Sequence, residues 1–266
     1  MIYKDSNEKT PIEHDIKEFF LHNKYLFNDD LGDLGENRIV FEKNIGNQKV
    51  RADALIFTEL KGIIGVEFKT QNDTLKRLPR QLKQYIRTCN YVYVFCDDSH
   101  TLFVEDIIKK LGYSCVGIIS YTVYEDLIIA GVYRKAKKNP NYSLYTACHL
   151  FWKSELHFIL RTLTNKPIDL IKNTFQTEYI NTVQELTKNP QTEHLMQSRL
   201  AEGFSTAYGS NNLTYKQLIS NFVGLLGEKV GTQVLCESFI YHEYSPEHYL
   251  KLYDFTDHYG KYGEQK

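Results

Sequence analysis

Arg51-Ala52-Asp53-Ala54-Leu55 and Gly65-Val66-Glu67-Phe68-Lys69 are two short runs of alternating polar and apolar residues, with thirteen residues between Asp53 and Glu67. Alternation of this kind marks strands with one face turned to a core. Glu67 and Lys69 then share a face, and Ile64, Val66 and Phe68 turn to the other. A hairpin with an odd-numbered loop near Leu60 brings Asp53 to the face of Glu67 and Lys69; an even-numbered loop needs a bulge to do so.

Around these runs, Ile39-Val40-Phe41, Val50 to Phe57 and Gly62 to Lys69 form three β-type segments broken by turn residues, which predict a meander. Ahead of them, Ile12, Ile16, Phe19, Phe20 and Leu21 recur at helical spacing after Thr10-Pro11, predicting a helix over 11–23. Behind them, Pro79 to Cys89 has helical period with Pro79 in its first turn, and Tyr91 to Cys96 is apolar throughout, as in a strand covered on both faces. Val104 to Leu111 reads as a helix, and Val116 to Ser120 and Leu127 to Tyr133 read as strands. This order predicts an α/β fold with a mixed central sheet flanked by helices. The basic, turn-prone Arg134-Lys135-Ala136-Lys137-Lys138-Asn139-Pro140 then divides a core of residues 1–138 from a helical accessory domain of residues 139–266. Helical periods there run through Leu150, Phe151, Leu156, Ile159 and Leu160, through Ile180, Val183 and Leu186, and through Leu218, Phe222, Val223 and Leu226. The polar stretch Tyr253 to Lys266 is expected to fray.

Composition bounds the function. A chain of 266 residues with 42% hydrophobic and 24% charged residues supports a sizeable core and excludes disordered and collagen-like classes. Thirty-two Lys and Arg against 33 Asp and Glu leave no global field to attract a polyanion, so nucleic-acid binding requires a local basic surface. Five cysteines without CxxC spacing read as buried apolar residues of a reducing compartment. With neither a signal-like N-terminus nor a long apolar window, the expectation is a cytoplasmic protein with no membrane partner.

The paired runs also suggest chemistry. Asp53 and Glu67, with the Phe68 backbone carbonyl, suit a hard divalent cation such as Mg²⁺, and Lys69 suits the negative charge that grows during phosphodiester hydrolysis. The same residues equally suit an ordinary same-face ion pair on an exposed strand. Beyond the strands, Arg80, Lys83, Gln84 and Arg87 share one side of the expected helix, opposite Leu82 and Ile86, with Lys76 and Arg77 just before it. A basic stripe beside the carboxylates and a helix N-terminus open to a phosphate are the expectations; a solvated helix face is the alternative.

Asp53, Glu67-Phe68-Lys69 and Gln81-x-x-x-Tyr85 resemble the signature of the PD-(D/E)XK nuclease superfamily, including the Gln-x-x-x-Tyr helix of its RecB-like branch. More closely, Arg51-Ala52-Asp53, Glu67-Phe68-Lys69-Thr70 and Asp73-Thr74-Leu75-x-Arg77-Leu78-Pro79-Arg80-Gln81 are similar to a group of bacterial and phage-borne proteins assigned to it. Leu150-Phe151-Trp152-Lys153-x-Glu155-Leu156 is similar to a segment following the core in that group. The specific likeness covers about residues 50–97. It implies a restriction-endonuclease-like core, Mg²⁺ or Mn²⁺, and DNA as substrate. Asp53 and Glu67 carry over as metal ligands with the Phe68 carbonyl, Lys69 as the catalytic lysine, and Gln81 and Tyr85 as helix-borne support. A first-helix acid often assists; Glu13 and Glu18 are candidates here, and Glu42 competes with them. Members without activity exist, so a silent nucleic-acid-binding or protein-interaction module on the same fold is the second expectation.

Other motifs read blandly. The nine histidines, His242, His248 and His258 among them, show no ligand spacing, and Gly224 to Gly231 has no P-loop order, so ATP is not expected. Trp152 belongs to a core stripe. Leu213-Thr214-Tyr215-Lys216-Gln217-Leu218-Ile219 suits the opening of a helix-turn-helix-like unit, but no reading-helix pattern of Arg, Asn and Gln follows it. The C-terminal helices are expected to serve substrate shape, homodimerisation or a protein partner.

Overall fold

The structure, a computed structural model, describes residues 13–46, 49–125, 127–153, 155–157, 159–160 and 213–241. It divides into two compact units, Met1–Tyr142 and Ser143–Lys266.

The first unit is an α/β fold on a six-stranded mixed sheet in the order β1 to β6. Strands β1 (Asn37–Ile45), β2 (Val50–Thr58) and β3 (Gly62–Lys69) form an antiparallel meander. Helix α1 spans Glu13–His22, and a one-turn helix α2 spans Asn28–Leu31. Helix α3 (Leu78–Thr88) carries the chain to β4 (Tyr91–Asp97), parallel to β3, and α4 (Thr101–Leu111) carries it to β5 (Gly117–Tyr124), parallel to β4. Strand β6 (Leu127–Arg134) returns antiparallel at the edge.

Each face of the sheet has its own cover. Phe20 of α1 packs with Phe68 and Phe95, ring centroids 5.0 and 4.7 Å apart, in a core that includes Ile16, Ile64, Val66 and Tyr121. On the opposite face lie the buried Leu82, Tyr85 and Ile86 of α3 and Val104 and Ile108 of α4. Double cover explains the unbroken apolar run of β4, in which every residue from Val92 to Cys96 is buried. Close approach of α3 depends on Gly65, where an added Cβ would lie 2.5 Å from Tyr85 Cδ1 and 2.6 Å from Cys89 Sγ.

The basic segment after β6 is bound to the first unit and is not a free linker. Ala136 N–H donates to Asp30, Lys137 N–H to the Cys115 carbonyl, and Asn139 N–H to the Asn90 carbonyl. The buried Asn139 side chain donates to the carbonyls of Ile86 and Cys89. The positive charges of Lys135, Lys137 and Lys138 stay exposed on an anchored backbone.

In the second unit a short helix α5 (Leu144–Ala147) is followed by α6 (Tyr215–Ile240). A capping box between Thr214 and Gln217 opens α6, and Gly227, at φ 68°, breaks its helical path. The period expected from Leu150 is helical only from Lys153, since Leu150 ends a 3₁₀ turn and Phe151 is extended; Phe151, Leu156, Ile159 and Leu160 are buried, whereas Trp152 is 44% exposed and is no core residue. The segment from Ile180 to Leu186, the tail with His242, His248 and His258, and the Thr10-Pro11 cap lie outside the described residues. Among the described residues, no helix is long and apolar enough to cross a membrane.

Candidate active site

The β2–β3 loop is Glu59-Leu60-Lys61, an odd-numbered loop closed by the pairing of Thr58 with Gly62. Ala54 therefore pairs with Val66, and the next position sets Asp53 across from Glu67 on the α3 face of the sheet. Asp53 Oδ2 accepts the Phe68 N–H at 2.7 Å, so its carboxylate bridges from β2 to the backbone of β3. The Lys69 Nζ donates to Glu67 Oε1 at 2.5 Å and to the Phe68 carbonyl at 2.9 Å.

Burial makes this pair unlike a surface ion pair. Glu67 is 0% and Lys69 4% exposed, so neither charge is shared with bulk water. Glu67 Oε2 is buried with no hydrogen-bond partner among the described residues. Burial raises the Glu67 pKa above the usual carboxylate value; the Lys69 ammonium, the Tyr85 hydroxyl and the Asp53 carboxyl pull it back without cancelling that rise.

Tyr85 locks the two strands from above. Its hydroxyl accepts the Asp53 N–H at 3.0 Å and donates to the Val66 carbonyl at 3.1 Å. Burial, followed by the charges of Glu67 and Asp53, holds its pKa well above the tyrosine value, so the hydroxyl keeps the proton it donates. Four residues earlier, one helical turn away, Gln81 has a buried Oε1 without a hydrogen-bond partner among the described residues. Ahead of α3, Asp73 Oδ2 accepts both the N–H and the hydroxyl of Thr70 at 2.8 Å, which turns the chain away from β3.

Several expected participants stand elsewhere. Helix α1 packs on the Phe68 face of the sheet, opposite Glu67, and Glu18 is exposed on it. Glu13 begins α1, and its side chain lies outside the described residues. Glu42 falls on β1 across from Asp53, but its positive φ of 57° marks a local irregularity, and it is held by Lys17 and Arg51 at 2.5 Å each. Arg77, Arg80, Lys83 and Arg87 are exposed, and helical period puts the last three on the side of α3 away from Tyr85. The basic stripe thus faces outward from the sheet instead of lining the carboxylates. Nor is the start of α3 an open N-terminus: a 3₁₀ turn (Leu75–Arg77) runs into it, and Leu78 N–H donates to the Leu75 carbonyl. Sequence reasoning missed the Glu42 bridge and the space left by Gly65; an isolated glycine inside a strand was the available signal for the second.

Among the described residues, no group of three or more His, Cys, Asp or Glu side chains is gathered to hold a metal. What the strands supply is smaller: two carboxylates, the Phe68 carbonyl, an unpartnered carboxylate oxygen, and a lysine ammonium already seated on two of these oxygens. A cation fits that donor set.

No protein of curated function and no solved structure matches the chain. The family described as Bacteriophage P4 protein cII matches it over residues 7–221, a span that takes in Asp53, Glu67, Lys69 and all of α3. The chain belongs to the bacteriophage P4 protein cII family.

Proposed function

We propose that this protein is a metal-dependent nuclease that hydrolyses DNA phosphodiester bonds, with Asp53, Glu67 and Lys69 as its catalytic residues. One observation carries the reading: an acidic pair across adjacent strands, Glu67 buried and Asp53 half-buried, has a cationic group resting on Glu67 and the Phe68 carbonyl, while Glu67 Oε2 lacks a partner among the described residues. Leaving a buried carboxylate oxygen unpartnered costs stability, and such costs accumulate at functional sites. Asp53, Glu67 and the Phe68 carbonyl are the groups that would hold Mg²⁺ or Mn²⁺. When bound, that ion neutralises phosphate charge and lowers the pKa of its water. Lys69 offsets the negative charge that builds on the phosphoryl oxygens as a water oxygen bonds to phosphorus and an ester oxygen leaves. Tyr85 and Gln81 position the strands and the approach, and the resemblance to PD-(D/E)XK nucleases supports the same roles.

The test is cleavage of plasmid and single-stranded DNA in Mg²⁺ and in Mn²⁺ by the wild type and by Asp53→Asn, which keeps an oxygen to accept the Phe68 N–H. Metal-dependent cleavage lost in Asp53→Asn supports the reading; unchanged cleavage in the variant overturns the site. The second reading, a silent nucleic-acid-binding or protein-interaction module, draws on Lys69 seated where the cation is expected and on the lack of a third gathered acid among the described residues. DNA binding with no cleavage in either metal, and no Mn²⁺ affinity by calorimetry, would favour it.

A further inference from the structure

The outward face of α3 carries a run of exposed cations with no acidic residue among them. From Thr74 to Cys96 the sequence has five cations, Lys76, Arg77, Arg80, Lys83 and Arg87, and no Asp or Glu. All five are exposed. None has an ion-pair partner among the described residues, whereas Lys17, Arg51, Lys69, Lys109 and Arg134 are each paired. In a chain of formal charge −1, this clustering leaves a compact positive surface whose compensating acids lie elsewhere. Helical geometry sets Arg80, Lys83 and Arg87 in one row about 10 Å long, with one cation about every 4.5 to 6 Å.

The platform beneath the row is rigid. Leu78, Leu82, Tyr85 and Ile86 are buried beneath it, Gly65 lets the helix seat directly on β3, and Gly46 does the same for Gln84 at the tip of the β1–β2 hairpin. Arginine supplies three of the five cations, and its planar fork binds phosphate in two-point contacts.

We infer that this outer face of α3 is a binding surface for a nucleic-acid phosphate backbone, separate from the Asp53–Glu67 centre and independent of metal. Because the body of the helix stands between the row and Tyr85, a strand lying along the row is not the bond held at the carboxylates. The surface therefore acts as an anchor: it holds nucleic acid while another stretch reaches the catalytic centre, or holds it without cleavage if that centre is silent. Binding of this kind is blind to sequence and weakens steeply with salt.

The test uses the full chain in EDTA, which removes cleavage from the readout. Fluorescence anisotropy with a labelled mixed-sequence 20-mer, single- and double-stranded, is measured from 50 to 300 mM KCl for the wild type and for Arg77→Gln/Arg80→Gln/Lys83→Gln/Arg87→Gln. These side chains are exposed and bond to nothing described, so the variant should keep the wild-type melting temperature. Expected is at least a tenfold loss of affinity at about 100 mM salt, and a log–log salt slope shallower by about 3 to 4, since each phosphate left unneutralised removes about 0.9 from the slope on the duplex and about 0.7 on the single strand. Equal affinity and slope in wild type and quadruple variant would overturn the inference. So would tighter binding to polyglutamate of equal charge or to phosphatidylserine vesicles than to the oligonucleotide, which would assign the row to an acidic protein or a membrane surface. Absence of cleavage in both Mg²⁺ and Mn²⁺ would sink the nuclease reading alone and leave this one standing.

Discussion

Glu67 and Lys69 form the pair on which the site's energetics turn. Both are buried, and removing one partner strands the other in a low-dielectric interior. Lys69→Ala should therefore cost about 3 kcal/mol by urea unfolding, while Glu67→Gln/Lys69→Met recovers most of that loss; a double variant as unstable as the single one would deny the coupling. Loss of activity in Lys69→Ala is consequently poor evidence of catalysis, which is why Asp53→Asn is the cleaner probe. The cysteines make a second point about single residues. All five are buried, and burial pushes the Cys96 thiol up to about 12, with Asp97 and Asp98 adding to the rise. A raised pKa keeps the unreactive thiol form at pH 8, so Cys96 should resist iodoacetamide in the native protein and label only on unfolding, as peptide mass spectrometry would report. The sequence displayed these residue types and spacings, but exposure is a property of what covers them. A strand pattern is the same for a solvated ion pair and for this buried one.

Among the elements, α3 is fixed by shape as much as by polarity. Gly65→Ala would drive a methyl group into the Tyr85 ring and Cys89, lift the helix from β3 and destabilise the protein by about 1–3 kcal/mol, read as a lowered melting temperature. Tyr85→Phe removes less, the hydroxyl that accepts from Asp53 and donates to Val66, for a cost of about 1 kcal/mol. Its larger expected effect is on any cleavage, since Asp53 loses a restraint. The strands and helices of the first unit follow their periodicities closely: the expected helix over 11–23 is α1, and Pro79 sits in the first turn of α3. Face assignment was less legible. Helical period separated the arginines from Leu82 and Ile86, but it could not say that the carboxylates lie on the Leu82 side of the helix. That depends on which face of the sheet α3 covers.

For the molecule as a whole, the boundary region is a structural member of the first unit. Asn139, buried by two donated hydrogen bonds to the end of α3, closes the unit beyond the sheet's last strand. A fragment ending at Tyr142 should fold with a cooperative thermal transition, and one ending at Arg134 should melt several degrees lower; equal melting would show that the anchored segment adds nothing. Local patterning was enough for the α/β character and the order of elements, because periods of two and 3.6 are written into neighbouring residues; it left the parity of the β2–β3 loop open, and the pairing of Thr58 with Gly62 decided it. The burial of Glu67 and Lys69, the place of α1 on the opposite face from them, and the outward aim of the basic row on α3 came from folding in three dimensions. Those facts depend on which surfaces pack together, and packing joins residues that local patterning cannot bring into one frame.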